Sequence, residues 1–247
     1  MSLENLNPQQ LQAVQHCEGP LIVVAGAGSG KTRVITCRIA HLIKEKGLPP
    51  ESILAITFTN KAAGEMKERV RTMLDLRGAH PWVSTFHSFC LRILRKHISE
   101  LGFSNDFAVY DAQDQLTLVK QCMKVAEISS DAFPPKSLLN LISGFKNDFL
   151  MPKDVEQDSM PYGNQFKAAS LYPVYQAALK KNNALDFDDL LVFAVRLFQE
   201  CPSLRNYYND KFRHILVDEF QDTNAAQYRL VRLLSESHSN ICVVGDD

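Results

Sequence analysis

The stretch Leu21-Ile-Val-Val-Ala-Gly-Ala-Gly-Ser-Gly-Lys-Thr32 decides how this chain is read. Its first five residues are apolar and partly β-branched, which suits a buried strand. Glycine then recurs at 26, 28 and 30, and Lys31 opens a run of helical spacing. Between residues 31 and 46, Val34, Ile35, Ile39, Leu42 and Ile43 fall on one stripe, and Gly47 stops it. Strand, glycine turn and helix in that order make a phosphate cradle. Glycines let backbone amides turn inward on anionic oxygens, and the helix N-terminus adds partial positive charge. Lys31 is placed to reach the β/γ-phosphates, and the Thr32 hydroxyl to ligate magnesium. The candidate nucleotide-binding residues are therefore Ala25, Gly26, Ala27, Gly28, Ser29, Gly30, Lys31 and Thr32. The consensus for such a loop begins with glycine, and here Ala25 stands in that place.

Working outward, four further apolar runs read as strands: residues 53–58, 82–85, 215–218 and 241–244. They show little alternation, which predicts a parallel sheet covered on both faces. Helical stripes follow the second and third, carrying Ala62, Met66, Val70 and Met73, then Cys90, Ile93, Leu94 and Ile98. This alternation predicts a doubly wound α/β domain. From residue 89 to 204 the periodicity is helical, with no convincing buried strand. The expected organisation is thus an α/β nucleotide-binding domain built from residues 1–88 and 205–247, with residues 89–204 as an inserted helical subdomain. The chain stops at the exit of an apolar strand, which predicts a piece of a longer protein.

Near Asp218 the run Ile215-Leu-Val-Asp-Glu-Phe-Gln-Asp222 ends a strand in adjacent carboxylates. Asp218, at the strand tip, is the candidate magnesium ligand beside Thr32. Glu219 is the candidate general base for an attacking water. Two neighbouring carboxylates repel, so a cation beside them makes chemical sense. A capped acidic turn, with Asp222 or Thr223 heading the next helix, is the plainer reading of the same residues.

Composition narrows the field. The 247 residues are 45 % hydrophobic and 22 % charged, as in ordinary globular proteins, and the formal net charge is −1. Without a basic excess, nucleic-acid binding would have to rest on local sites. The cysteines at 17, 37, 90, 122, 201 and 242 are scattered and form no zinc or disulfide pattern. Neither a secretion signal nor an apolar run long enough for a membrane is present, so a cytoplasmic protein is expected.

Several stretches together closely resemble the UvrD/PcrA/Rep helicases of superfamily 1. They are Ala25-Gly-Ala-Gly-Ser-Gly-Lys-Thr-Arg33, Thr57-Phe-Thr-Asn-Lys-Ala-Ala63, Thr85-Phe-His-Ser-Phe89, Asp186-Phe-Asp-Asp-Leu-Leu191, Val217-Asp-Glu-Phe-Gln-Asp-Thr-Asn224 and Val243-Val-Gly-Asp246. The resemblance implies a first RecA-like ATP-binding domain and its helical insertion, from an enzyme that uses ATP and Mg2+ to move 3′ to 5′ on single-stranded DNA. It implies an approach to the single-strand/duplex junction and a second RecA-like domain, absent here, that supplies arginines. Gln221 joins Lys31, Thr32, Asp218 and Glu219 as a catalytic candidate. Gln10 falls where the family reads adenine, although Asn7, Pro8 and Gln10 also spell a helix capping box. Arg33 either approaches the nucleotide or is a plain exposed helix arginine.

Phe58, Thr59 and Asn60, then Thr85, Phe86 and His87, lie at strand exits, where open α/β sheets bind ligands. By resemblance they are candidates for a DNA track, with Phe58 stacking on a base. Their plainer reading is core phenylalanines and helix caps. Asp186 and Asp189 read as an N-cap and its partner, and Arg92, Arg95 and Lys96 as a solvated basic face. Two rival functions share these features: the motor of an AddA/RecB-type helicase–nuclease, and a non-catalytic nucleotide-binding docking module.

Overall fold

A computed structural model describes residues 6–26, 28–74, 78–156 and 160–246. The strands are β1 (Leu21–Val24), β2 (Ile53–Thr57), β3 (Trp82–Thr85), β4 (Ala108–Val109), β5 (Ala184–Leu185), β6 (His214–Val217) and β7 (Ile241–Gly245). The helices are α1 (Pro8–Gln15), α2 (Lys31–Lys44), α3 (Asn60–Met73), α4 (Phe86–His97), α5 (Ala112–Val125), α6 (Pro135–Asn147), α7 (Asn164–Lys181), α8 (Phe187–Glu200), α9 (Pro202–Lys211) and α10 (Ala225–Ser235). The chain divides into two units. The first comprises Met1–Phe89, Cys201–Thr223 and Tyr228–Asp247; the second comprises Cys90–Glu200 and Asn224–Gln227.

The first unit holds a five-stranded parallel sheet in the order β1-β7-β6-β2-β3. The mixed α/β class with a parallel sheet is the one the strand–helix alternation predicts. Ile35, Ile39 and Leu42 of α2 and Met66 and Val70 of α3 pack on Ile53, Ala55, Val83, Leu216 and Val244 of the sheet. All five residues of β2 are buried, as are all four of β6. Coverage on both faces fails at β1, where Ile22 is 71 % and Val24 56 % exposed. β1 is an edge strand, and only Leu21 and Val23 point into the packed clusters.

A buried histidine gives this unit an acid-sensitive point. His214 opens β6 at 7 % exposure. Burial first, then the Arg38 and His238 charges, pushes its imidazole down to about 4. Between that value and the ordinary one near 6.5, the unfolded chain takes up a proton that the folded chain refuses, so stability falls as pH falls through this window. Urea unfolding at pH 7 and pH 4.5 should show His214→Gln abolishing about 2 kcal/mol of the acid loss; identical pH profiles for the two proteins would refute it.

The second unit is built on α5, α6 and α7. Leu118, Val119, Met123, Leu138, Ile142, Leu171, Tyr172 and Tyr175 form its core. Contrary to the sequence reading, it contains strands: β4 and β5 pair in parallel over two residues each. A pairing that short has no periodicity to detect. It is held by backbone bonds from Ala108 to Asn183 (2.9 Å) and from Tyr110 to Leu185 (2.8 Å). Arg95 is exposed, as the sequence reading has it, and also finds partners within the unit. Its guanidinium lies 4.0 Å over the Phe107 ring and donates to the carbonyls of Phe107 (2.5 Å) and Asn105 (3.1 Å).

The cap expected at Asp186 is present and reciprocal: Asp189 N–H donates to Asp186 Oδ1 at 2.9 Å, and Asp186 N–H to Asp189 Oδ2 at 3.2 Å. What spacing did not reveal is Lys146. Its ammonium, fully buried, lies 2.6 Å from Asp186 and 2.8 Å from Asp189. Burial alone would lower this lysine, but the two carboxylates outweigh it and the net shift is upward. Two negative groups share one positive one, and burial followed by the Asp186 charge raises Asp189. At the head of α10 the cap is neither Asp222 nor Thr223 but Asn224. Asn224 Oδ1 accepts from Gln227 N–H at 2.9 Å, and Gln227 Oε1 from Asn224 N–H at 3.0 Å.

Candidate functional site

In the first unit, β1, β6 and β7 run parallel, so the segments that follow them leave from one edge of the sheet. The glycine turn follows β1. Gly28 (φ +75°) and Gly30 (φ +90°) take left-handed conformations that side chains resist, and Gly30 caps α2. Ala27 lies outside the described residues. Ala25 accommodates its place without difficulty, extending the ladder by donating its N–H to Gly245 O at 3.1 Å. Ser29 N–H closes the turn on Gly26 O at 3.2 Å.

Lys31 is buried and its ammonium curls back over the turn. It donates to Ala25 O (2.9 Å) and Gly26 O (3.2 Å) and pairs with Asp246. The next residue ties the turn to the acidic strand tip: Thr32 Oγ1 donates to Asp218 Oδ2 at 3.2 Å. Asp218 is 3 % exposed, and its N–H completes the β6–β2 ladder on Ile56 O at 2.9 Å. Burial first, and then the Glu219 charge, raises the Asp218 carboxyl above its ordinary range; Thr32, the Glu219 N–H and Lys31 oppose the rise.

Glu219 holds φ +52°, a conformation uncommon for a residue with a side chain. It heads a short helical turn over Phe220–Asp222. Gln221 Nε2 donates to Glu219 Oε2 at 2.8 Å, and Gln221 Oε1 accepts from Asp246 N–H at 3.0 Å. The five catalytic candidates therefore fall into two hydrogen-bonded pairs, Thr32 with Asp218 and Glu219 with Gln221, plus Lys31, with Asp246 between Lys31 and Gln221.

These donors fit a magnesium ion. A hydroxyl and a buried carboxylate are hard oxygen ligands, and magnesium characteristically adds waters and substrate phosphate oxygens to only one or two protein oxygens. Among the described residues no group of three or more His, Cys, Asp or Glu could hold a metal by itself. An ion here would depend on phosphate ligands as well.

Gln10 takes the capping role that its spacing spells. It forms the capping box with Asn7, through bonds of 2.8 and 3.0 Å, and its Nε2 donates to Ser29 O of the turn at 2.9 Å. Arg33 is half-buried rather than exposed. Its guanidinium bears on Cys37, where it opposes the rise that burial imposes on that thiol.

The proposed track separates into two kinds of residue. Thr59 caps α3, accepting from Ala62 N–H at 3.1 Å, and it and Asn60 remain exposed. Phe58 is half-buried, its ring meeting Phe86 edge-on at 5.5 Å. Two expected contacts are withdrawn. Phe86 is 1 % exposed and buttresses Phe58 from the core. Thr85 is 6 % exposed, and its hydroxyl is occupied with the Ser88 N–H (3.2 Å) and hydroxyl (2.9 Å). His87 is half-buried, and burial lowers its imidazole. The residue that sequence reasoning missed is Asp246, because its pairing with Lys31 spans the chain.

Comparison with known proteins adds the following. The family model for the UvrD/REP helicase N-terminal domain matches residues 6–247. The chain is 47 % identical over 244 residues to proteins named ATP-dependent DNA helicase PcrA from Staphylococcus aureus strains Mu50 and NCTC 8325, and 46 % identical to that of Staphylococcus epidermidis strain ATCC 12228. Each match covers 99 % of this chain and 33 % of the relative, so the chain spans about a third of their length.

Proposed function

From the chain's membership of the UvrD/REP helicase N-terminal domain family, we propose that it is the nucleotide-binding front of an ATP-dependent DNA helicase acting 3′ to 5′ on single-stranded DNA. The single observation that carries this reading is the Thr32–Asp218 hydrogen bond, which brings the glycine turn and the acidic strand tip to one point. Phosphates would lie on residues 25–32, with Lys31 as their cation. Thr32 and Asp218 would hold Mg2+, which supplies charge neutralisation to the departing phosphate. Glu219 accepts the proton of the attacking water, and Gln221 orients Glu219. The first unit is then a RecA-like ATP-binding domain and the second its helical insertion.

Phe58, Thr59, Asn60 and His87 would touch the strand, Phe58 through a ring that the buried Phe86 holds in place. A second RecA-like domain would close over the nucleotide and supply arginines, and the helical unit would approach the single-strand/duplex junction. The retention of Lys31, Thr32, Asp218 and Glu219 together weighs against a purely docking role. No helix among the described residues is long and apolar enough to cross a membrane.

The test joins this chain to the remaining two thirds of a relative and measures ATP hydrolysis and strand separation with single-stranded and junction DNA. DNA-stimulated hydrolysis and unwinding are expected of the joined protein, and neither of the 247 residues alone. Phe58→Ala should weaken single-strand affinity by ~1–3 kcal/mol, the worth of one stacked base, without altering ATP affinity. Robust unwinding by the isolated chain would overturn the division of labour, and unaltered DNA affinity in Phe58→Ala would remove that residue from the track.

A further inference from the structure

An ammonium group has three protons to donate, and in this structure all three of Lys31's are taken. Two go to carbonyls of the glycine turn, and the third to the carboxylate of Asp246. The lysine side chain is 7 % exposed and the aspartate side chain 41 %, so the carboxylate covers the charge from the solvent side. A phosphate arriving on the turn finds its principal cation already paired with an anion.

Asp246 is also fixed from behind. Its backbone N–H donates to Gln221 Oε1 at 3.0 Å, and Gln221 Nε2 donates to Glu219 Oε2 at 2.8 Å. The residue before it permits the approach: a Cβ added at Gly245 would stand 2.7 Å from Gln221 Oε1 and 3.4 Å from Gln221 N. A continuous path of polar contacts therefore runs from the phosphate-binding lysine to the candidate base.

We propose that Asp246 is an internal placeholder for a nucleotide phosphate, holding Lys31 in the empty site and competing with phosphate for it. Binding exchanges the carboxylate for a phosphate oxygen on Lys31. Without nucleotide, Gln221 keeps Glu219 hydrogen-bonded. The proposal rests on the phosphate-site reading of residues 25–32.

The experiment titrates the 247-residue chain calorimetrically with inorganic pyrophosphate, ATP and adenosine in magnesium buffer. Asp246→Asn removes the charge and keeps the shape, and Asp246→Ala removes the acceptor as well. Both should bind pyrophosphate and ATP on the order of tenfold more tightly, the worth of one charge-assisted hydrogen bond. Adenosine, which has no phosphate, should bind as it does to the unaltered chain. Asp246→Glu keeps the charge and should return the affinity towards its starting value. In a Lys31→Ala background the gain from Asp246→Asn should vanish. Pyrophosphate affinity that depends on Lys31 but is unchanged or weakened by both Asp246→Asn and Asp246→Ala would overturn the placeholder alone. Affinity indifferent to Lys31→Ala would instead overturn the phosphate-site reading, and the placeholder with it.

Discussion

In the chain joined to the rest of a relative, Glu219→Gln is expected to bind ATP nearly as before and to hydrolyse it roughly 10²–10⁴-fold more slowly, the range that positioned general bases contribute. The amide keeps the volume of the carboxylate and can still bond Gln221, so the turn at φ +52° has no reason to move. It lacks only the ability to take a proton from water. Lys31→Ala should behave differently, losing affinity and turnover together, because that ammonium meets the substrate before any chemistry begins. Comparing the two by nucleotide titration and single-turnover hydrolysis separates binding from chemistry. Near-normal turnover in Glu219→Gln would assign the base elsewhere; retention of full ATP affinity in Lys31→Ala would remove phosphate from the glycine turn.

The largest effect on stability is expected far from this chemistry. Lys146→Met leaves Asp186 and Asp189 facing each other in the core of the second unit without a cation. Breaking a buried ion cluster from one side costs about 3–5 kcal/mol, because the remaining charges stay desolvated. Adding Asp186→Asn and Asp189→Asn should recover most of that loss, since neutral amides can still cap α8 and no longer repel. The loss should also be smaller at pH 5 than at pH 8. A carboxyl whose folded-state affinity for protons exceeds its unfolded one is stabilised as pH falls, and Asp189 is already shifted in that direction by burial and by Asp186. Urea unfolding of the three proteins at both pH values is the measurement. A cost below about 1 kcal/mol, typical of exposed pairs, would show that water reaches the cluster.

What the sequence by itself determined was local. The glycine turn, the stripe of α2, the Asn7–Gln10 and Asp186–Asp189 caps and the acidic pair at the end of β6 are each set by neighbours within a few residues. Steric freedom at glycine, helical periodicity and short hydrogen bonds act over that range, so they can be read from spacing alone. The order of the motifs carried the family resemblance as well.

The tertiary structure decided everything that depends on partners distant along the chain. Lys146 reads as one lysine among many until α6 brings it to two aspartates 40 and 43 residues away. Phe58 and Phe86 have the same chemistry and similar settings at strand exits, yet one keeps an accessible face and the other is sealed in the core. The exposed face of β1 depends on what the rest of the fold packs against the strand, which no residue in β1 encodes. The pairing of Lys31 with Asp246, 215 positions apart, exists because β7 lies beside β1. Burial and long-range charge are properties of the folded neighbourhood, and a residue's own identity sets only what it can do once it arrives there.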